Sequence, residues 1–275
     1  MIWRPSSSPT RHLVLALPGL LTNVRTSRKF DSIARIAKQA NADFLTLDYY
    51  GCFSNHGDIW SGRCTHDPRT QSVTWSRWTT DIRDACVSVA ATGHPSPTRV
   101  TVIGCSMGFA LALDTLAALI PIWSTPRQQP PRIHLIGVGA SPDPASAWAR
   151  RLVLHSDENS DVSKAWGWLP SMYAEDPQRG YPIPLSLVQP APQTQSTAPT
   201  TPAPPICHLS VTLIHGSDDA VIPLDRAQVE LPAAIHRAFG QDQVTGIEWR
   251  VIPGGDHRLS SAADLQVLEE VVLME

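Results

Sequence analysis

The stretch RVTVIGCSMGFALALDTLAAL, residues 99–119, decides the fold. Its first five residues form a β-branched run that reads as a strand. Gly104-Cys105-Ser106-Met107-Gly108 breaks the run with a tight turn, and the apolar residues from Met107 to Leu119 continue as a helix. The same alternation extends outward in both directions. Strand-like runs fall at 12–17, 44–47, 133–138, 209–214 and 247–252, and helix-like stretches at 30–39, 78–91, 224–239 and 261–273. Strands alternating with helices mean βαβ units, so the expected class is α/β with a mostly parallel central sheet flanked by helices. Such sheets hold their ligands beyond the carboxyl ends of the strands. Candidate chemistry is therefore sought just after each run.

Gly104-Cys105-Ser106-Met107-Gly108 is G-x-S-x-G in the setting that gives it meaning, between a strand and a helix. A turn that sharp strains the serine backbone and leaves no room for side chains at the flanking glycines. It lifts the hydroxyl clear of the sheet at a helix N-terminus, where free N–H groups and the helix dipole favour developing negative charge. Ser106 is the candidate nucleophile; an ordinary βα turn is the alternative.

Serine needs a base to take its proton, and the base needs a carboxylate to fix its tautomer. After the run ending at Ile214 comes His215-Gly216-Ser217-Asp218-Asp219, which supplies an acid at a strand exit. After the last run comes Pro253-Gly254-Gly255-Asp256-His257-Arg258, which supplies a histidine in a glycine-rich loop. Ser106, Asp219 and His257 follow the chain order serine, acid, histidine. The oxyanion donors are expected to be the N–H of Met107 and an N–H from the loop Pro18-Gly19-Leu20-Leu21, with Leu20 chosen ahead of Leu21. Of the remaining histidines, His12, His134 and His208 sit in or beside strands and read as structural. His215 is expected to bond its own turn. His56, His66, His94, His155 and His236 lack ligand spacing, so no metal and no cofactor are expected.

The 275 residues suit one α/β domain, and 42% hydrophobic residues are enough for a substantial core. A net charge of -3 with no long basic run argues against nucleic acid and leaves a small-molecule or acylated substrate as the expected partner. Five cysteines, odd in number and irregularly spaced, signal neither a disulfide framework nor a zinc site. Reduced thiols in an intracellular, cytoplasmic protein are expected. No apolar run is long enough to span a bilayer, and residues 1–11 lack a signal-peptide core. No strand is expected before His12, which leaves little room for a transit peptide, though a longer precursor would keep a mitochondrial address open. Residues 143–184, with Trp148, Trp166, Trp168 and Tyr173, read as a small helical lid, and residues 58–75 as a polar loop carrying Trp60 and Trp75. The tract QPAPQTQSTAPTTPAPP, residues 189–205, reads as a flexible Pro/Thr/Ala-rich loop.

With residues 12–19, the GCSMG turn, HGSDDAVIP and GGDHR in view, the chain resembles the α/β-hydrolase superfamily along nearly its whole length. Asp48-Tyr49-Tyr50-Gly51, with Ser54 and Gly57, resembles that superfamily's D-x-x-G-x-x-S-x-x-G loop, and the pattern H-G-x-x-D-x-x-V-P puts the acid on Asp219. Four short pieces are similar to a group of small hydrolases that includes a mitochondrial palmitoyl-protein thioesterase also cleaving acyl glucuronides. These are DYYG, Trp78-Thr79-Thr80-Asp81, Trp168-Leu169-Pro170-Ser171 and Asp256-His257-Arg258. Relatives often carry glycine where Phe109 follows the turn. That ring is expected either to trim an acyl pocket or to pack the helix on the sheet. The resemblance implies a serine esterase or thioesterase, with Phe109, Trp60, Trp148, Trp166 and Trp168 as candidate pocket residues. Simple packing is the alternative for each tryptophan. Because fold alone does not give function, a lyase or cyclase, an acyltransferase or a ligand-binding protein on the same fold is the rival expectation.

Overall fold

The computed structural model describes residues 1–6, 10–20, 22–52, 73–124, 129–153, 166–170, 180–188 and 208–274. The chain divides into two compact units, one of Met1–Leu47, Ile82–Pro142 and Pro202–Glu275 and the other of Asp48–Asp81 and Asp143–Thr201.

The first unit is built on seven strands: β1 (Ile2–Arg4), β2 (His12–Leu17), β3 (Asp43–Thr46), β4 (Arg99–Cys105), β5 (Arg132–Val138), and, later in the chain, β8 (Leu209–Gly216) and β9 (Val244–Ile252). Their order across the sheet is β1-β3-β2-β4-β5-β8-β9. All neighbours run parallel except β1, which pairs antiparallel with β3 through Ile2↔Thr46, Trp3↔Leu45 and Arg4↔Phe44. The six parallel strands sit where the apolar runs place them. β1 corrects the expectation that no strand precedes His12. Its three residues are too few for any periodicity, and the strand exists because β3 offers it an edge.

Strands buried on both faces need apolar residues at nearly every position, and β2 is buried throughout. Side chains that alternate along the strands divide the core between the two faces. Val14, Ala16, Ile103, Ile136, Val138 and Ile214 meet one apolar side of α1 (Arg28–Gln39) and of α6 (Ala262–Leu273). α3 (Met107–Trp123) packs against β2, β4 and β5 and is buried on nearly every side, which explains why its sequence is apolar all round. Two buried histidines are absorbed by the sheet, His12 Nε2 against Thr101 Oγ1 and His134 Nε2 against Thr212 Oγ1, both at 2.9 Å. β9 closes the far edge. It is half exposed and carries a Glu248–Arg250 ion pair at 2.7 Å.

The second unit has one short helix, α4 (Pro144–Ala149), and an antiparallel ribbon, β6 (Trp166–Pro170) with β7 (Gly180–Pro184). Asp143 caps α4 by accepting from Ser146 N–H. Val153 extends the ribbon through paired bonds with Trp168. A wholly helical lid over 143–184 is therefore not what forms among the described residues. Trp166-Gly167-Trp168-Leu169-Pro170 joins aromatic, Gly and Pro residues that suit a strand and break a helix.

The Asp48-Tyr49-Tyr50-Gly51 turn and the start of α2 (Trp75–Ala90) interlock in this unit. Asp81 Oδ2 accepts from Tyr50 N–H at 2.7 Å, and Trp78 Nε1 donates to the Tyr50 carbonyl at 3.0 Å. The Trp78 ring stacks on Tyr49 at 5.3 Å. Two short motifs far apart in the resemblance are thus one structural feature. Among the described residues, no helix is long and apolar enough to cross a membrane.

Candidate active site

Ser106 follows β4 and caps α3 with φ 51° and ψ -120°, a conformation that L-residues rarely adopt. The flanking glycines make the turn possible. A Cβ on Gly104 would lie 2.4 Å from Phe109 Cα, and one on Gly108 would lie 2.3 Å from the Leu17 carbonyl oxygen. The turn is pinned to the neighbouring strand by Ser106 N–H donating to Val138 O at 2.9 Å and Ser141 N–H donating to Ser106 O at 3.1 Å.

His257 Nε2 lies 2.9 Å from Ser106 Oγ, and its Nδ1 lies 2.8 Å from Asp219 Oδ2. A carboxylate only accepts, so Nδ1 carries the proton and Nε2 faces the serine as an acceptor. Asp219 has no exposed side-chain surface. Its Oδ1 accepts from Val221 N–H at 2.9 Å and Ile222 N–H at 2.8 Å. The histidine loop lies directly on the strand ends. A Cβ on Gly216 would stand 2.0 Å from the Gly255 carbonyl oxygen, and one on Gly139, whose φ is +52°, would stand 2.7 Å from the His257 carbonyl oxygen. Asp256 Oδ1 ties the loop by accepting from Arg258 and Leu259 N–H, and Lys29 of α1 donates to the Arg258 carbonyl.

Met107 opens α3, where N–H groups have no partner within the helix. Gly19 backs onto the nucleophile closely enough that a Cβ there would meet Ser106 Cβ at 3.2 Å. The turn from Gly19 to Thr22 carries Leu20 beside it. Leu21, the second choice as donor, lies outside the described residues. Together these groups form an arrangement able to activate a hydroxyl and take up negative charge on an attacked carbonyl.

Residues 14–270 match the alpha/beta hydrolase family. The chain belongs to that family. Solved structures sharing this α/β-hydrolase fold include a putative hydrolase from Agrobacterium vitis S4, at 18% identity and TM-score 0.66, covering 98% of this chain and 90% of that one. Alpha/beta hydrolase domain-containing protein 10 from mouse matches at 21% identity and TM-score 0.59 with the same coverage. Est1E from Butyrivibrio proteoclasticus, solved with ferulic acid, matches at 16% identity and TM-score 0.60, covering 99% of this chain and 92% of that one. No curated protein sequence matches.

The pocket candidates of this alpha/beta hydrolase chain fall in different places. Phe109 is wholly buried on α3, beside Gly137 of β5. Trp148 is buried in α4, and Trp168 is half-buried in β6. Trp60 and the ring of Trp166 lie outside the described residues, as do Tyr173 and residues 189–205. Among the described residues, no group of three His, Cys, Asp or Glu side chains could hold a metal ion. The sequence reading gave His215 no part in the site. The structure places its Nε2 3.3 Å from Asp219 Oδ2, and the only sequence signal for this was its position at the same strand exit.

Proposed function

We propose that this chain is a serine hydrolase that cleaves carboxylic esters or thioesters through an acyl-enzyme on Ser106. The observation that carries the reading is the continuous relay Ser106 Oγ, His257, Asp219 on a strained turn at the strand ends. In the acylation step Ser106 Oγ attacks the acyl carbonyl carbon and its proton passes to His257 Nε2. The N–H groups of Met107 and Leu20 stabilise the tetrahedral oxyanion. Collapse breaks the bond to the alcohol or thiol, which leaves with the proton from His257. Water then attacks the acyl-enzyme by the same route and releases the acid. Asp219 holds the His257 tautomer and stabilises the imidazolium that forms.

The thioester arm draws on the resemblance of DYYG and the short pieces around Trp78, Trp168 and His257 to the thioesterase group. An apolar acyl chain is proposed as the favoured acyl group, with Phe109, three residues after the nucleophile, as the side chain that limits its length. Each methylene that the chain buries would contribute roughly 0.8 kcal/mol.

A serine-reactive fluorophosphonate should label the wild-type chain to one equivalent, and Ser106→Ala should abolish both labelling and turnover while the circular dichroism spectrum is kept. In a panel from acetyl to palmitoyl p-nitrophenyl esters and thioesters, kcat/KM should rise with chain length and then fall. Full labelling of Ser106→Ala would overturn the nucleophile. Labelling without hydrolysis across the panel would favour a lyase, cyclase or acyltransferase.

A further inference from the structure

We infer that His215 is a positioning residue for Asp219, and through it for His257; the inference rests on the serine-hydrolase reading above. His215 is the penultimate residue of β8, four residues before Asp219, with its side chain 1% exposed. Its Nε2 lies 2.8 Å from the carbonyl oxygen of Ile222. A carbonyl only accepts, so the ring carries a proton on Nε2. The same Nε2 stands 3.3 Å from Asp219 Oδ2, beside the carboxylate but without the geometry of a hydrogen bond to it. No described residue hydrogen-bonds its buried Nδ1, which fits the Nε2–H tautomer.

The consequence for Asp219 is a carboxylate held on a turn that His215 ties at its far end. Val221 and Ile222 N–H donate to Oδ1 and His257 Nδ1–H donates to Oδ2, while the His215 ring lies against that same Oδ2 at 3.3 Å. Ile222 supplies both the N–H that holds Asp219 Oδ1 and the carbonyl that His215 holds, so freeing that carbonyl loosens the carboxylate that orients His257. His215 also ties the Ile222 carbonyl, so one ring anchors both ends of the turn that carries the acid. It touches neither Ser106 nor the space where an acyl group would react. Its effect must therefore fall on the chemical step and not on binding.

Three variants separate positioning from packing. His215→Phe keeps the ring volume and removes the donor, while His215→Gln returns an amide N–H near the place of Nε2. The phenylalanine variant should lower kcat roughly ten- to hundredfold, the range set by leaving the buried Ile222 carbonyl without its donor, with KM little changed. Its rate of fluorophosphonate labelling should fall in parallel. The glutamine variant should recover most of both. His215→Asn, whose shorter side chain holds its amide back from the Ile222 carbonyl, should not.

A phenylalanine variant that keeps the wild-type kcat and labelling rate would overturn the inference, as would a glutamine variant as impaired as the phenylalanine one. If His215→Phe does not fold, long-range ¹H–¹⁵N spectra of the wild type decide. His215 must show a bare Nδ1 and a protonated Nε2, and the opposite tautomer would overturn the assignment. A wild-type chain that is not labelled at all would overturn the serine-hydrolase reading and this inference with it. A labelled wild type with an indifferent His215→Phe would remove only the inference.

Discussion

Asp219 has no exposed side-chain surface, whereas its neighbour Asp218 lies at the surface, accepting from Ser217 Oγ at 2.7 Å. Only the first can hold the His257 tautomer. Asp219→Asn should lower kcat on the order of 10³- to 10⁴-fold, because an amide presents the wrong hydrogen to Nδ1. Asp218→Asn should stay within about threefold, since an exposed hydrogen bond carries little. Steady-state kinetics on one activated ester read both, and a larger loss at Asp218 would reassign the acid. At this scale the site was legible in the sequence because the fold demands a type of residue at a definite strand end. Ser106, Asp219 and His257 each follow an apolar run directly. His215 was not legible as part of the site. Its proximity to Asp219 depends on a turn that folds back on itself, and sequence distance alone also fits a histidine that serves only the turn.

The elements contribute closeness. β5 is followed by Gly139, which the His257 loop overlies so tightly that one methyl group cannot be accommodated, and its φ of +52° adds strain to any substitution. Gly139→Ala should displace the loop by a fraction of an ångström. An expected loss of about 10- to 100-fold in kcat follows, together with a lower Tm. A variant with wild-type kcat would show that the loop tolerates the shift. β4 and α2 hide two thiols. Burial pushes the Cys86 thiol up to about 12. It also pushes Cys105 up, with the Lys29 charge opposing in part. In the unfolded chain thiols ionise from about pH 8.5. Both cysteines therefore stabilise the fold fully below that pH and lose the contribution as pH rises above it, Cys86 until its own folded value of about 12 is passed. Urea midpoints should fall between pH 8.5 and 10.5 more steeply in the wild type than in a Cys86→Ala, Cys105→Ala double variant. Parallel slopes would remove the thiols from the account. Elements with long apolar runs were readable in advance, from β2 to α5 (Leu224–Phe239) and α6. β1 and the β6–β7 ribbon were not. Three residues carry no period, and a five-residue segment containing two tryptophans does not distinguish a strand from a buried helical turn.

For the whole molecule, the sheet has two ends of different character. β1 closes one with three residues, whereas β9 leaves the other with nine, half exposed and unpaired on its outer side among the described residues. A long open edge is a template on which another chain can add a strand. Glu248 and Arg250 sit on that edge, and two copies meeting there would have to strip water from both charges. The ion pair does little for the stability of one chain, since exposed pairs contribute about 0–1 kcal/mol. Its expected action is on crowding, where it would raise the concentration at which molecules join edge to edge. Glu248→Val with Arg250→Val should leave Tm within about 2 °C of wild type and make light scattering climb with protein concentration where the wild type stays flat. Matching curves would mean that the twist of β9 protects the edge without help from charge.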